Sequence, residues 1–297
     1  MWWAKTDMSR ARFPRRSLLY TPGDQIELLE KAFNTEADTL IFDFEDSVNP
    51  ANKPLARDNV VSLSDDIAAT DKEVSVRINA IKTEYWLDDL RAAIEAGVDT
   101  VKIPMVESTW ELRTIREAER AIDPTASLEY ALGLETPEGI LAGSEIATFT
   151  RDKPAFSNVN FGMADYTNAI GAPKPSPAIG DMLRFLTVSY ASMGRMDPIG
   201  SALLDIQDHE GQRETAERNR EFGYIGMTGI HPDQMPIINE VFTPTSDEVE
   251  EAKQMVETFE ATDQDSIMVD GVFLDAPVVK RYRKVLDRAE LVGMVRK

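Results

Sequence analysis

The chain has no cysteine, and only two histidines, His209 and His231, among its 297 residues. The first absence rules out disulfides, thiolate metal sites and cysteine nucleophiles. The second rules out a multi-histidine metal site and leaves a Ser-His-Asp triad little to draw on. Oxygen ligands remain. Positive charge is also scarce: 32 Lys and Arg stand against 52 Asp and Glu, for a net charge of -20. Such a surface repels nucleic acid and anionic membranes, so the expected partners are small molecules or basic proteins. Lysine is the scarcer cation, 12 against 20 arginines. An acidic, lysine-poor surface is expected of a protein kept soluble in concentrated salt, and stability unchanged by removing KCl would refute that reading. No apolar run reaches the length of a membrane span, and the start, with Trp2 and Trp3 set among charges, lacks the apolar stretch of a signal peptide. A cytoplasmic location is expected.

What the sequence does have is alternation. Short apolar runs near Ser17 to Tyr20, Thr39 to Phe44, Val74 to Asn79, Val98 to Ile103, Leu128 to Leu134, Asn158 to Gly162, Ser201 to Ile206 and Tyr224 to Ile230 read as strands. Between them lie segments of helical spacing, such as Leu87, Leu90 and Ile94 before Gly97. Strands alternating with helices mean parallel strands joined by crossover helices, and eight such units in about 240 residues fit a (β/α)8 TIM barrel over residues 1–242. No Gly-rich phosphate loop follows any strand, which argues against a nucleotide fold. Residues 243–297 form a small C-terminal helical and hairpin appendage: a helix from about Ser246, a hairpin turning at Asp270-Gly271, and a last helix beginning at Asp275-Ala-Pro. The proline-rich stretch from Gly171 to Pro177 is either a stiff surface loop or a mobile cover.

Barrel enzymes carry their chemistry where the strands end. Glu135 follows the strand Leu128–Leu134 just before a Thr-Pro helix start, and Asp165 stands just past the next strand. Carboxylates at the ends of consecutive strands can share one hard cation, Mg2+ or Mn2+, leaving the other coordination positions to water and substrate. The remaining strand ends hold Asp43, Glu45 and Asp46, then Arg77 and Asn79, Lys102, Asp205 and Asp208, and His231. Lys102 raises a rival chemistry, since a barrel lysine can form a Schiff base with a keto acid.

Seven stretches in order resemble the citrate lyase β-subunit and malyl-CoA lyase family, the CitE-like branch of the HpcH/HpaI aldolase superfamily. They are Arg16 to Gly23, Phe42 to Val48, Val76 to Asn79, Gly133 to Thr136, Phe161 to Asp165, Ile230 to Pro232 and Leu274 to Pro277. The resemblance implies a Mg2+-dependent barrel that makes or breaks a carbon-carbon bond between an acyl thioester and an α-keto acid. It implies that Glu135 and Asp165 hold the metal, that Arg77 takes the keto-acid carboxylate in a two-pronged hydrogen bond, and that Asp275 is the acid and base. An internal ion pair of Arg77 with Glu45 or Asp46 is the alternative for that residue, and a helix N-cap is the alternative for Asp275. For coenzyme A the resemblance points to Tyr20, Lys31 and the backbone around Ala164, Ile230 and His231. The substrate expected is a malyl-CoA or β-methylmalyl-CoA-like thioester, with citryl or citramalyl thioesters and a non-catalytic thioester-binding partner as alternatives. A homotrimer, or a multiple of it, is implied, with Asp275 serving a neighbouring subunit's site.

Overall fold

The computed structural model describes residues 12–173 and 176–295. They divide into two compact units, Arg15–Glu240 and, with 12–14, the stretch from Val241 onward. The first is a closed barrel of eight parallel strands in sequence order: β1 (Ser17–Pro22), β2 (Thr39–Asp43), β3 (Glu73–Arg77), β4 (Thr100–Ile103), β5 (Glu129–Leu134), β6 (Phe156–Phe161), β7 (Asp197–Gly200) and β8 (Gly226–Gly229). The expected (β/α)8 TIM barrel is therefore the observed fold. Parallel pairing from β1 round to β8, and of β8 with β1, closes the ring. Helices run between the strands: α1 (Ile26–Ala32), α2 (Lys53–Ser62), α3 (Ser64–Ala69), α4 (Trp86–Ala96), α5 (Thr109–Ile122), α6 (Pro137–Thr150), α7 (Met163–Ala169), α8 (Pro177–Gly194) and α9 (His209–Phe222), followed by α10 (Met235–Phe242). No helix among the described residues is long and apolar enough to cross a membrane.

The strands are near-continuous apolar runs because both faces are covered. Leu40, Ile41 and Phe42 of β2, Val74 and Val76 of β3, and Val101 and Ile103 of β4 are all buried. Helix starts follow the capping signals. Thr136 accepts the Gly139 N–H at 3.1 Å ahead of Pro137 at the first helical position of α6. One strand differs from expectation. The apolar run Ala202-Leu203-Leu204 reads as the seventh strand, yet the chain pairs at Asp197–Gly200 and leaves 201–206 as loop, with Leu204 exposed. A single strong apolar residue, Ile199, marks β7, because its partners supply most of the burial. Asp205 and Asp208 thus do not stand at a strand end, and Asp208 caps α9 through the Gly211 N–H at 2.8 Å.

At the N-terminal end of the barrel, Arg15 is buried at 2 % exposure in a net of carboxylates. Its Nε and Nη2 donate to both oxygens of Glu73 at 2.8 and 2.7 Å, and it meets Glu129 at 2.5 Å and Asp197 at 3.3 Å. Thr39 and Thr100 hydroxyls complete Glu73 at 2.8 and 2.6 Å. Burial alone would raise the Glu73 pKa, but Arg15 and these hydrogen bonds hold it below the usual carboxylate range.

The second unit has its own core, in which Ala252, Met255 and Val256 of α11 (Ser246–Glu260) meet Leu274, Val279 and Tyr282. Its hairpin pairs β9 (Ser266–Val269) with β10 (Val272–Asp275) through Asp270 and Gly271, both at positive φ, as a tight primed turn requires. Asp275 begins α12 (Ala276–Leu291), accepting the Val278 N–H at 3.0 Å.

Candidate active site

Glu135 leaves the end of β5 and folds back over the backbone. A Cβ built on Gly162, just past β6, would stand 2.7 Å from Glu135 Cγ and 3.1 Å from Asp165 Oδ2. The space where a side chain would sit is thus the space the two carboxylates share, and any larger residue there would push them apart. Glu135 is 4 % exposed, and its Oε2 accepts the Met105 N–H at 3.2 Å. Burial raises its pKa, Lys102 and Arg77 draw it down, and Asp165 pushes it back up. Asp165 is raised as well, by burial and then by Asp46. Two carboxylates that repel each other across a gap suit a hard divalent cation, which would take their charge and complete its shell with water and substrate oxygens. Among the described residues no group of three or more Asp, Glu, His or Cys side chains could hold a metal.

Arg77, at the end of β3, is more heavily engaged than its sequence position reveals. Its Nε and Nη2 grip Asp43 in a fork at 2.6 and 2.7 Å, while Nη1 lies 2.9 Å from Glu45 and 3.2 Å from Asp46. The internal ion pair is thus real, with Asp43 as its main partner. Asp43 also accepts the Glu45 and Ser47 N–H groups at 3.0 and 3.1 Å, so one carboxylate both shapes the turn after β2 and holds the guanidinium. Arg77 keeps it ionised against the effect of burial. Glu45 fares differently. Arg77 approaches its Oε2 off the hydrogen-bonding direction, leaving that oxygen buried without a hydrogen bond. Burial, only partly offset by Arg77, pushes the Glu45 pKa up to about 9. The guanidinium lies 4.9 Å over the Tyr20 ring, and burial holds that phenol well above its usual range.

Tyr20, Arg77, Glu135, Ala164, Asp165 and Ile230 line one cavity of about 740 Å3 at the C-terminal mouth. Six of the residues expected at the site are therefore brought together. Lys102 lies below them. It is 3 % exposed, donates to Asn160 Oδ1, and lines a separate pocket of only about 10 Å3 within the barrel. Burial lowers its pKa to about 8, which would suit an amine nucleophile. A pocket with room for one water cannot admit a keto acid, so the Schiff-base chemistry lacks a place.

Lys31 and His231 do not line this cavity. Lys31 is exposed on the last turn of α1. The Ile230 and His231 N–H groups are already taken by Gln234 Oε1 at 2.8 and 3.1 Å, so they are not open donors. His231 Nδ1 accepts the Asp233 N–H at 3.2 Å. Asp275 belongs to the second compact unit, and the proline-rich stretch after Gly171 lies partly outside the described residues. Sequence reasoning missed Asn160, Arg184 and Asn219, which also line the cavity. Asn158 and Asn160, polar at alternate positions of β6, carried a readable sign of an inward polar face. Arg184 and Asn219, on α8 and α9, carried none.

A parallel barrel with carboxylates, clamped arginines and a large cavity at its C-terminal mouth fits a carbon-carbon lyase. The chain belongs to the HpcH/HpaI aldolase/citrate lyase family, whose sequence model matches residues 16–232. It is similar to citrate lyase subunit beta of Escherichia coli (strain K12), with 29% identity over 94% of this chain and 95% of the relative. It is also similar to (3S)-malyl-CoA thioesterase of Cereibacter sphaeroides (strain ATCC 17029 / ATH 2.4.9), with 31% identity over 97% of this chain and 99% of the relative. Among solved structures it resembles protein CitE from Mycobacterium tuberculosis in complex with magnesium, acetoacetate and coenzyme A, at 25% identity and a TM-score of 0.75, over 95% of this chain and 99% of that one.

Proposed function

We propose that the protein is a Mg2+-dependent lyase that reversibly cleaves a malyl-CoA or β-methylmalyl-CoA-like thioester into glyoxylate and acetyl- or propionyl-CoA. The observation that carries this reading is the meeting of Glu135 and Asp165 over Gly162, in the same cavity as Arg77. Bound between the two carboxylates, Mg2+ or Mn2+ would supply Lewis acidity to the keto-acid oxygens. Arg77 would orient the keto-acid end with the N–H groups that Asp43 and Asp46 leave open, and its charge would favour the oxyanion that develops there. In cleavage the substrate hydroxyl gives up its proton to water in the cavity, its oxygen becomes the keto oxygen, and the electron pair of the breaking carbon-carbon bond passes into the thioester as an enolate. The enolate carbon then takes a proton from Asp275, which removes it again in condensation. Asp275 would act in a neighbouring copy, making the enzyme an obligate oligomer, a trimer or a multiple of it. Tyr20, Ala164 and Ile230 line the wall along which the thioester arm would lie, with Lys31 and His231 toward its outer end.

The similarity to a citrate lyase β-subunit supports a second substrate, a citryl or citramalyl thioester that would release oxaloacetate or pyruvate. A panel of malyl-, methylmalyl-, citramalyl- and citryl-CoA, with the liberated keto acid trapped as a hydrazone, separates these. Turnover of malyl-CoA or methylmalyl-CoA at least tenfold faster than the others is expected. Release of free coenzyme A without any keto acid would mean thioester hydrolysis instead and would overturn the lyase reading.

A further inference from the structure

Beneath the mouth lies a cation that the chemistry above does not use. Lys53, on the first turn of α2, is 5 % exposed. Its ammonium donates to the Phe44 carbonyl at 2.8 Å, the Glu45 carbonyl at 3.2 Å and Asn79 Oδ1 at 2.6 Å, and it lies 5.3 Å from the centre of the Tyr85 ring. All three N–H bonds are thereby spent on neutral oxygens, and none on a carboxylate. Arg15 shows how the same chain buries a cation for stability, among three carboxylates. The charges of Asp89, Asp43, Glu45 and Asp46 offset only part of the desolvation of Lys53, which pairs directly with none of them.

The bonds instead fix the segment that surrounds Arg77. Phe44 and Glu45 are consecutive, and two successive carbonyls turned onto one cation hold the backbone in a conformation that is neither strand nor helix. That turn is what brings Glu45 and Asp46 to Arg77 Nη1. Asn79 ties the same turn to the end of β3, two residues past Arg77. Its Nδ2 donates to the Phe44 carbonyl at 2.9 Å and to Asp89 Oδ2 at 2.6 Å, and its N–H donates to the same Asp89 oxygen at 2.8 Å. Asp89, fully buried on α4, is held in turn by Arg57 at 2.7 Å. The ends of β2 and β3 are thus joined by one hydrogen-bonded frame with Lys53 at its centre.

We infer that Lys53 is a positioning residue for the reaction: through the Phe44 and Glu45 carbonyls and Asn79 it sets the turn 43–46 around Arg77, and so aims the guanidinium at the keto-acid end of the substrate. The inference rests on the reading of Arg77 as the keto-acid contact. Lys53→Met, similar in length and uncharged, keeps the packing and removes the three bonds. The expected result, with the melting temperature lowered by the acceptors left unpaired, is a kcat lower by about 100-fold and a raised KM for glyoxylate in condensation with the acyl-thioester KM unchanged. A lower melting temperature with kcat and both KM values at wild-type levels would make Lys53 a structural strut and overturn the assignment.

Because the protein has no cysteine, Lys53→Cys offers a unique thiol. It can be alkylated in denaturant with 2-bromoethylamine, which rebuilds a lysine-like ammonium, or with iodoacetamide, which leaves a neutral amide, and then refolded. Restored turnover with the first reagent alone supports the assignment, and equal turnover with both overturns it, including where Lys53→Met does not fold. Oxalate, a non-reacting keto-acid mimic, separates this from a failure of the lyase reading. If the wild type cleaves none of the thioesters, that reading fails, and the Lys53 assignment then stands or falls on whether Lys53→Met weakens oxalate binding in Mg2+ about tenfold by calorimetry.

Discussion

Each end of the barrel holds one arginine among three carboxylates. At the N-terminal end Arg15 meets Glu73, Glu129 and Asp197; at the C-terminal end Arg77 meets Asp43, Glu45 and Asp46. The inventories match and the outcomes do not. Every oxygen of Glu73 is hydrogen-bonded, and its proton is held off more firmly than in water. Glu45 has a buried oxygen with no hydrogen bond and keeps its proton up to about pH 9. The lower cluster is finished by its own partners, whereas the upper one opens into a 740 Å3 cavity with charge still to be balanced. Charge type and number alone therefore do not tell a strut from a site. Satisfaction does.

Four measurements test that contrast. Arg15→Met should destabilise the fold by about 3–5 kcal/mol in urea unfolding, because it strands Glu73, Glu129 and Asp197 without their cation. The KM values of the surviving folded enzyme should not move; if they do, the lower cluster is not a strut alone. Asp165→Asn and Glu135→Gln should behave in the opposite way. Burial penalises both charges, so melting should hold or rise when either is removed, while Mg2+-dependent turnover should fall about 10³-fold. Full activity in either variant would end the metal assignment.

Glu45→Gln gives a smaller effect with a definite sign. The folded pKa of Glu45, about 9, lies above its ordinary 4.5, so the folded state holds a proton that the unfolded state has lost in between. Its contribution to stability is complete below about pH 4.5 and is lost as pH rises toward 9. Glutamine carries no such penalty. In EDTA the variant should match the wild type at pH 4.5 and be more stable at pH 8, by on the order of 1–3 kcal/mol. An equal difference at both pH values would show that ionisation is not the cause. Arg77→Lys should raise the glyoxylate KM about tenfold, since a point charge replaces a planar fork, and should cost some stability because Asp43 loses its two-pronged partner. An unchanged KM would confine Arg77 to its internal ion pairs.

Much of this was legible in the sequence, for reasons particular residues make plain. Six of the eight barrel strands, β1 to β6, announce themselves by Val, Ile or Leu, because burial on both faces demands it, and β8 is marked by Ile225 and Ile230 on either side of it. β7 does not, since Asp-Pro-Ile-Gly is covered by its neighbours, and the more apolar Ala202-Leu203-Leu204 beside it lines the cavity instead. Glu135, Asp165 and Arg77 could be placed at one mouth because strand ends are countable. The fork from Arg77 to Asp43 could not be read, because it crosses between strands and depends on their register. Arg15 was hidden for a similar reason. It looks like part of a basic lead-in, and only barrel closure brings Glu73, Glu129 and Asp197 around it. Lys53 reads as an ordinary helix-start lysine until the turn above it is folded.

The seventh strand has one more consequence. Its junctions with β6 and β8 join two residues each, whereas the other junctions join three to five. A ring with one thin pair of joints resembles a bracelet with a clasp, and thermal opening should concentrate there. The loop that leaves the clasp, Ser201 to Asp205, is also wall to the cavity. Loosening that one short strand should widen the mouth, with amide exchange at Ile199 and Gly200 running ahead of that at Val74 to Val76 of β3 on the opposite side of the ring.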